Sequence, residues 1–460
     1  MNAVSLIPSS VNSSSVAFRE AGVSDITYGA LAQRSHDLPV DRGLVVLKTA
    51  NAIDVVATYV SCFEAGVPVA LVDSSVTDEF VAHLAETYRP AAIVGPGPEI
   101  AGYRTVVARG SALRWQVRED EPAPAHADLA VLLATSGSTG SPKFVKLSRT
   151  NVVSNADSIA HGLHIRAEHR AITSLPFSYS YGLSVINSHL VTGASVSLTE
   201  SAVVTKDFWD LVRSDRVSTI AGVPTTYRML RQMRWDPAGL PDLEYLTQAG
   251  GRLPDADRQH FLDAMQANGK DFYVMYGQTE ATARITIAPP ELLREHISTA
   301  GRAIPGGVLS IDGKPGDVDG PVTYRGPNVM MGYAGSADDL STGDTMGGVL
   351  ETGDLGYLAD GALFITGRSK RIVKAFGVRV SLDDVDVWLQ RGGNAVAVQG
   401  DDSIEIFVQT HELEPQELRR ELASYLGLHV SGIRVTEIES IPLLSSGKID
   451  LVALQELHKR

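Results

Sequence analysis

A loop rich in hydroxyl side chains and glycine follows an apolar run that begins at Leu132. Glycines let a backbone approach an anion closely, hydroxyls donate hydrogen bonds, and a lysine adds a charge suited to phosphate. Pro142 precedes Lys143, whereas a Walker A loop needs glycine directly before the lysine, so the pattern argues against a P-loop NTPase. Taken alone, such a stretch is also typical of a flexible linker. The candidate phosphate-binding residues are Thr135, Ser136, Gly137, Ser138, Thr139, Gly140 and Lys143.

Two carboxylates end short motifs further along the chain. Glu280 closes Tyr276-Gly-Gln-Thr-Glu280, directly after a predicted strand, Phe272 to Met275. Ligands of open α/β sheets bind at the carboxyl ends of strands, so Glu280 could hold Mg²⁺ that bridges phosphates. Asp354 closes Glu351-Thr-Gly-Asp354, where a turn would present an acceptor for both hydroxyls of a ribose. Each motif alone is also typical of a solvated turn.

Two basic segments come later in the sequence. The stretch Thr366 to Val380 carries the cations Arg368, Lys370, Arg371, Lys374 and Arg379. Lys448 follows Gly447 in a serine-rich loop, and the glycine gives the lysine reach. A basic cluster is usually a solvated face and a single Gly-Lys pair says little. The order of all these segments along one chain is therefore the informative feature.

Strands and helices alternate over most of the chain, which predicts an α/β fold with parallel sheets in a large N-terminal domain. Predicted strands are Gly43 to Lys48, Val67 to Val72, Ala91 to Val94, Ala171 to Leu175, Ala194 to Leu198, Ser218 to Ala221, Tyr245 to Thr247 and Phe272 to Met275. Predicted helices are Ala52 to Ala65, Asp78 to Tyr88, Phe208 to Arg213, Thr226 to Met233 and Asp257 to Ala267. Glycine-rich, strand-rich sequence from Val308 to Thr366 predicts a smaller β subdomain.

A compact α+β tail is predicted beyond Arg368. Its predicted helices are Leu382 to Gln390 and Pro415 to Tyr425, and its predicted strands are Ala395 to Val398, Ile404 to Thr410 and Ile433 to Ile438. A tail of about 90 residues is large enough to fold and to move as a unit. We therefore predict an N-terminal domain, residues 1–368, and a small mobile C-terminal domain, residues 369–460.

Composition limits the class of protein. The chain has 460 residues, of which 44% are hydrophobic and 20% charged, as expected for a globular enzyme of more than one domain. A net charge of -14 argues against nucleic-acid or anionic-membrane binding. One cysteine, Cys62, fits a reducing compartment, and we expect a cytoplasmic protein because the start lacks a signal-peptide pattern. The longest apolar region, Ile53 to Val72, contains charges and does not predict a membrane span.

Together the motifs resemble the adenylate-forming superfamily, which comprises acyl-CoA and aryl-CoA synthetases, firefly luciferases and adenylation domains. The resemblance extends from about Ile26 to Leu454, and all core motifs occur in the family's order. Supporting segments are Leu175-Pro-Phe-Ser-Tyr-Ser-Tyr-Gly182, Ala249-Gly-Gly-Arg252 and Gly326-Pro-Asn-Val-Met-Met-Gly-Tyr333. The chain is identified as a short member of this superfamily, which implies an AMP-forming carboxylate ligase.

The resemblance implies a role for each motif. The loop from Thr135 to Lys143 would grip the β- and γ-phosphates of ATP, and Gly250 with Gly251 would edge the adenine. Tyr276 would stack on that base, and Thr279 with Glu280 would serve the α-phosphate and Mg²⁺. The ribose would be held by Asp354 and Arg368, and the catalytic lysine of the tail would be Lys448.

A second half-reaction is also implied. Family members rotate the tail domain about a hinge that matches Lys370, which brings the segment around Lys374 and Gly377 to the site. The commonest acyl acceptor in the family is CoA, so the resemblance implies an acid-thiol ligase. An amine acceptor, which would give an amide synthetase, and the thiol of a separate carrier protein stay open as alternatives.

The predicted acid pocket is largely apolar with a few polar groups, and comprises Tyr179, Tyr181, Ile186, Asn187, Val223 and Ala249. Ser178 stands where amino-acid-activating relatives place an aspartate, which favours an acid without an α-amino group. Tyr179 stands where many acyl-CoA synthetases carry a histidine, which bears on the acceptor. A serine hydrolase is disfavoured because no G-x-S-x-G motif exists. A nucleotide-binding scaffold without activity is the remaining non-enzyme alternative.

Overall fold

The architecture comes from a computed structural model, which describes residues 4–134, 143–312, 319–368, 371–375, 378–400, 403–426 and 428–458. The helices of these residues are α1 (Tyr28–Arg34), α2 (Ile53–Ala65), α3 (Asp78–Tyr88), α4 (Arg149–Gly162), α5 (Ser180–Leu190), α6 (Lys206–Ser214), α7 (Pro224–Gln232), α8 (Asp255–Ala267), α9 (Pro290–Glu295), α10 (Leu382–Leu389), α11 (Pro415–Leu426) and α12 (Leu451–His458). Within the described ranges, no helix is long and apolar enough to cross a membrane.

The strands of the described residues fall into five sheets. The first half of the chain contributes β1 (Val16–Glu20), β2 (Ile26–Thr27), β3 (Val45–Thr49), β4 (Val69–Asp73), β5 (Ala92–Val94), β6 (Tyr103–Val107), β7 (Arg114–Arg118), β8 (Leu129–Ala134), β9 (Phe144–Ser148), β10 (Arg170–Ile172), β11 (Ser195–Leu198) and β12 (Thr219–Gly222). The second half contributes β13 (Tyr245–Gln248), β14 (Asp271–Tyr276), β15 (Thr286–Ala288), β16 (Arg302–Ala303), β17 (Val308–Ile311), β18 (Gly320–Arg325), β19 (Gly332–Ala334), β20 (Val349–Ala359), β21 (Ala362–Arg368), β22 (Ile372–Ala375), β23 (Val378–Ser381), β24 (Gly393–Gln399), β25 (Ile404–His411) and β26 (Ile433–Glu437).

Two large sheets form the centre of the molecule. One has the strand order β19-β9-β8-β4-β3-β5-β7-β6, and the other has the order β16-β15-β14-β13-β12-β10-β11-β1-β2. Each has a parallel centre, as the βαβ pattern predicts, and antiparallel strands at both edges. The predicted βαβ pattern therefore holds at the sheet centres, and the edge strands add to them in the antiparallel direction.

The largest core lies between the two sheets. Helices α2 and α5 supply Val56, Tyr59 and Ile186 to it, and strands of both sheets supply side chains such as Leu47 and Val196. The opposite face of the first sheet packs against α3, and the opposite face of the second packs against α6, α7 and α8. Strand residues buried on both faces explain the continuous apolar runs of the sequence.

The β-rich region and the tail are separate sheets. Strands β17, β18, β20 and β21 form an antiparallel sheet, in agreement with the predicted β subdomain. In the tail, β24 and β25 pair antiparallel, β26 adds in parallel, and α10 and α11 supply Val385, Leu389 and Leu422 to a core of its own. The domain boundary after residue 368 stays a proposal, since residues 369 and 370 lie outside the described ranges.

Candidate active site

Three parallel strands of the second sheet end at one edge of the molecule. Gly222 at the end of β12 pairs with Gln248 of β13, and Gln248 pairs with Val274 near the end of β14. The residues that follow, Val223 and Ala249, therefore lie side by side at the carboxyl ends of parallel strands. That edge is where open α/β sheets bind their ligands.

The predicted ribose residues are in direct contact. Asp354 is buried, its Oδ2 accepts a hydrogen bond from the phenol of Tyr276, and its Oδ1 accepts one from Nε of Arg368 at 2.9 Å. Asp354 and Arg368 are also cross-strand partners on β20 and β21. Burial and the neighbouring carboxylate raise the pKa of Tyr276 well above its ordinary value, so the phenol stays a donor. The carboxylate keeps lone pairs for further donors such as ribose hydroxyls.

Glu280 lies beside the base of the predicted phosphate loop. Strands β8 and β9 form a hairpin in which Ala134 pairs with Phe144, so the loop between them begins and ends at this point. Strand β19 pairs with β9 and brings Tyr333 opposite Val145. The phenol of Tyr333 donates to Oε1 of Glu280 at 2.9 Å. Lys143 is exposed. The predicted loop residues before it, Thr135, Ser136, Gly137, Ser138, Thr139 and Gly140, lie outside the described residues.

The donor set of the site suits a magnesium ion held mainly by phosphates. Over the described ranges, no group of three or more His, Cys, Asp or Glu side chains is arranged to hold a metal ion. Mg²⁺ typically binds through one or two carboxylates together with substrate phosphates and waters. Glu280 contacts Tyr333 on β19, which pairs with strand β9 of the phosphate-loop hairpin, and this position fits that pattern. Thr279 lies next to it, with its hydroxyl 3.3 Å from that of Ser180 at the start of α5.

A tight turn places Lys448 at the same edge. The N–H of Gly447 donates to the carbonyl of Leu444, and the N–H of Leu444 donates to the carbonyl of Lys448, both at 2.8 Å. Gly447 has a φ of 75°, a left-handed conformation that favours glycine. Its carbonyl accepts from the hydroxyl of Thr225 on α7 at 3.0 Å. This bond fixes the lysine turn of the tail against the carboxyl end of β12.

The side chain of Lys448 lies over an aromatic ring. Its Nζ is 4.6 Å from the ring centre of Tyr179, and a methyl group added at Gly250 would lie 3.6 Å from its Cε and 2.6 Å from the Tyr179 hydroxyl. Burial, followed by the positive charge of Arg368, lowers the pKa of Lys448 to about 8, while Glu280 opposes that shift. The charges of Arg368 and Glu280 therefore both act on the ammonium group of Lys448.

The predicted acid-pocket residues divide into two groups. Tyr179, Tyr181, Val223 and Ala249 pack in one cluster, and the rings of the two tyrosines are 6.3 Å apart at a steep angle. Asn187 instead faces α2, where its Oδ1 accepts from the phenol of Tyr59 at 2.9 Å. Ile186 likewise packs in the core between the two sheets. These two residues lie on the α5 face opposite to Tyr181 and Ser184.

Two neighbours of the site had no part in the predicted set. Arg284 is fully buried beside Tyr181, with its Cζ 4.6 Å from the ring centre. No local sequence pattern singles out this arginine, because the segment that follows it also suits an exposed edge strand. Gln248 is the second, and its side chain donates to the carbonyl of the predicted residue Gly251 at 2.9 Å. Of the predicted second-step residues, Lys370, Gly377 and the side chain of Lys374 lie outside what the structure describes.

Known proteins resemble the chain over nearly its whole length. It is 27% identical over 441 residues to a 2-succinylbenzoate–CoA ligase of Bacillus velezensis, covering 91% of this chain and 88% of that protein. It is 22% identical over 459 residues to a D-alanine–D-alanyl carrier protein ligase of Bacillus anthracis, covering 90% of both.

Solved structures share the fold. The O-succinylbenzoate coenzyme A synthetase of Bacillus subtilis, in complex with ATP and magnesium ion, superposes with a TM-score of 0.73 at 20% identity and covers 97% of both chains. The profile of the AMP-binding enzyme family matches residues 30–334, well over half of this chain. The chain therefore belongs to the AMP-binding enzymes, which confirms the predicted superfamily and its α/β fold class.

Proposed function

We propose that this protein activates a carboxylic acid with ATP, forming an acyl-adenylate and releasing pyrophosphate, and then transfers the acyl group to CoA. The observation that carries the first step is the position of Lys448, a cation 4.6 Å from the ring centre of Tyr179 beside the predicted acid pocket. The same edge holds the Tyr276, Asp354 and Arg368 contacts expected for a nucleoside.

The chemistry of adenylation explains why a cation is needed there. A carboxylate is a weak nucleophile, and it must approach an α-phosphorus surrounded by negative oxygens. A positive group shared by both partners lowers that repulsion as charge shifts to the leaving pyrophosphate. Lys448 is the side chain for this role because the turn at Gly447 and the bond from Thr225 position it in advance.

The nucleotide would be held by the motifs already described. Asp354 and Arg368 would bind the ribose, Tyr276 the base, and Gly250 with Gly251 the adenine edge. The loop from Thr135 to Lys143 would hold the β- and γ-phosphates. Glu280, with Thr279 at the α-phosphate, would hold Mg²⁺, which neutralises phosphate charge when bound. ATP and magnesium in the similar Bacillus subtilis structure support this assignment.

The acceptor is proposed to be CoA because a CoA ligase is among the similar proteins. Similarity to a carrier-protein ligase supports the alternative in which the acceptor is a carrier thiol. An amine is the third candidate, since Tyr179 replaces the histidine that many acyl-CoA synthetases carry. In each case the tail, residues 369–460, would rotate about Lys370 between the two steps, bringing Lys374 and Gly377 to the site.

An exchange assay tests the first step. Radioactive pyrophosphate should exchange into ATP in the presence of the correct acid from a panel of aryl, cyclic and acyl acids. Lys448→Ala should lower the exchange rate about 100- to 1000-fold, as expected for loss of one preorganised donor, while ATP still binds. Lys206→Ala is the matched control, because Lys206 is exposed on α6 and pairs only with Asp210 in the described structure.

Mass spectrometry identifies the acceptor. The active acid would be incubated with ATP and, separately, with CoA, a panel of amines, or a phosphopantetheinylated carrier protein. A CoA thioester is the expected product. Amide formation without thioester would overturn the choice of CoA and leave the adenylation step intact. Absence of exchange with every acid, in protein that binds ATP, would favour a nucleotide-binding scaffold.

A further inference from the structure

A small cavity with a mixed lining lies next to the predicted acid pocket. Helix α5 supplies Tyr181, Ser184 and His189 to its wall, and the strand ends supply Thr247 and Met275. Its volume is about 10 Å³, close to what one water molecule needs. Tyr181 and Ala221 belong both to this wall and to the cluster that contains Tyr179, Val223 and Ala249, so the cavity adjoins the acid pocket.

Arg284 is the one residue with a full charge in the described wall of this cavity. Its side chain is 2% exposed. One terminal nitrogen donates to the hydroxyl of Ser184 at 3.1 Å, and the guanidinium lies 4.6 Å from the ring centre of Tyr181. Its Nε is buried and has no hydrogen-bond partner among the described residues, and the titratable neighbours that act on its pKa are Tyr181 and Tyr179, not a carboxylate.

A buried charge without a counter-ion is costly. Removing one partner of a buried ion pair destabilises a protein strongly, because the remaining charge is left uncompensated. Burial accordingly lowers the pKa of Arg284, although the neighbouring tyrosines oppose the shift. A tyrosine face and one hydroxyl compensate the guanidinium only in part. An anionic group entering the cavity would complete its hydrogen bonds and balance its charge.

The histidine of the wall, His189, is neutral near pH 7. Nδ1 of His189 lies 2.8 Å from the carbonyl of Val185, which can only accept, so Nδ1 carries the proton. Burial lowers the pKa of His189 to about 4. Nε2 of this neutral ring is an acceptor and has no partner among the described residues. The wall thus includes a charged donor, Arg284, and a neutral acceptor, His189.

Arg284 and Lys448 each lie over one ring of the tyrosine pair. Lys448 lies over the ring of Tyr179, Arg284 lies over the ring of Tyr181, and the ring centres are 6.3 Å apart. A ligand whose reacting carboxylate meets Lys448 could therefore extend along the rings toward Arg284. Met275, an unbranched and adaptable side chain in the cavity wall, is the residue that would move to admit a group larger than water.

We propose that the acid activated by this protein carries a second, distal carboxylate, and that Arg284 with Ser184 binds that carboxylate in the cavity behind Tyr181. The inference rests on the proposed adenylation function and narrows its substrate class to dicarboxylic acids. The distal carboxylate stays ionised and takes no part in the reaction. Arg284 is thereby a specificity-determining residue of the acid site.

The test compares matched acids in the pyrophosphate-exchange assay with the full chain. Each member of a series of aliphatic and aryl dicarboxylic acids is paired with its monomethyl ester, which keeps the carbon skeleton, adds one methyl group and lacks the distal charge. The best dicarboxylate should exceed its ester at least about 10-fold in kcat/KM, the value of one charge-assisted contact. Equal or higher activity with the ester throughout the series would overturn the inference, leaving water as the natural occupant of the cavity.

Variants then assign the preference to Arg284. Arg284→Met should bring the ratio of dicarboxylate to ester near 1, Arg284→Lys should keep part of it, and Ser184→Ala should lower it by a smaller factor. Equal loss of both activities in Arg284→Met, with Arg284→Lys retaining no preference, would indicate a structural role and overturn the inference. If Arg284→Met does not fold, the test rests on the ratio of dicarboxylate to ester activity in the wild type and in Ser184→Ala. Absence of exchange with every acid tested would instead overturn the proposed adenylation function.

Discussion

The ammonium of Lys448 lies 4.6 Å from the ring centre of Tyr179. The lysine comes from the tail and the tyrosine from the segment that leads into α5, so the contact joins two distant parts of the sequence. Burial raises the pKa of Tyr179, which means that the partner of the lysine is a neutral ring. A desolvated cation–π contact is worth about 2 kcal/mol.

Removing the ring should therefore impair the first half-reaction. We expect Tyr179→Leu to lower pyrophosphate exchange roughly 10- to 30-fold, the equivalent of that contact energy. Tyr179→Phe keeps the ring and serves as the matched control, with exchange close to wild type. Equal losses in the two variants would assign the role to the hydroxyl and contradict the cation–π interpretation.

The pH dependence of adenylation should report Lys448. Its pKa is lowered to about 8, so its positive charge is present below that pH and is lost as the pH rises through it. We expect kcat/KM for exchange, which reports groups of the free enzyme, to fall about tenfold per pH unit well above pH 8. Lys448→Arg should move this fall in kcat/KM to higher pH, since arginine stays charged. A profile for the wild type that stays flat to pH 9.5 would remove Lys448 from the role.

Gly447 should be needed for the position of the lysine. Its φ of 75° costs an alanine roughly 1–2 kcal/mol, and the added Cβ would lie 3.0 Å from Cγ2 of Val223. We expect Gly447→Ala to lower exchange roughly tenfold with little change in ATP affinity, because the shifted turn misplaces Lys448. Gly361→Ala is the matched control. Its φ is 74° and a Cβ there would meet nothing within 4 Å. Similar losses in both variants would point to general strain.

Local patterns predicted the regular elements well where one face is apolar and the other polar. Helix α3 runs from Asp78 to Tyr88 as predicted, and α2 differs by one residue at its start. Helix α5 was missed. Nearly all of its residues are buried, including Ser180, Gly182 and Asn187, so no polar face marks the helical period. Its poor helix formers are compensated by packing between the two sheets.

The sequence predicted which motifs form the site, but it did not predict the contacts between them. Order along the chain indicated Asp354, Arg368 and Lys448, but the pairing of Asp354 with Tyr276 depends on how β14 meets β20. The contact of Tyr333 with Glu280 depends likewise on β19 joining β9. Such long-range pairings have no local pattern. Burial of Arg284 is equally invisible in sequence, since the apolar residues around it also suit an exposed edge strand.

Asp354 should determine how well the protein recognises a ribose. Its carboxylate holds Tyr276 and Arg368, and it is the acceptor proposed for the ribose hydroxyls. We expect Asp354→Ala to weaken AMP binding about 10- to 100-fold, as for loss of charge-assisted hydrogen bonds, and to abolish discrimination between AMP and 2′,3′-dideoxy-AMP. Calorimetric titration of both nucleotides measures the two effects.

Two controls separate recognition from folding in that experiment. Asp338→Ala removes an exposed carboxylate from the segment before β20 and should change neither affinity. Asp354→Ala removes the carboxylate partner of the Tyr276 phenol, so the thermal unfolding of this variant is measured beside that of Tyr276→Phe, which keeps the ring and removes the donor. A variant that binds AMP weakly yet still prefers it to the dideoxy nucleotide would show that the ribose hydroxyls are read elsewhere, because only loss of discrimination identifies Asp354 as their acceptor.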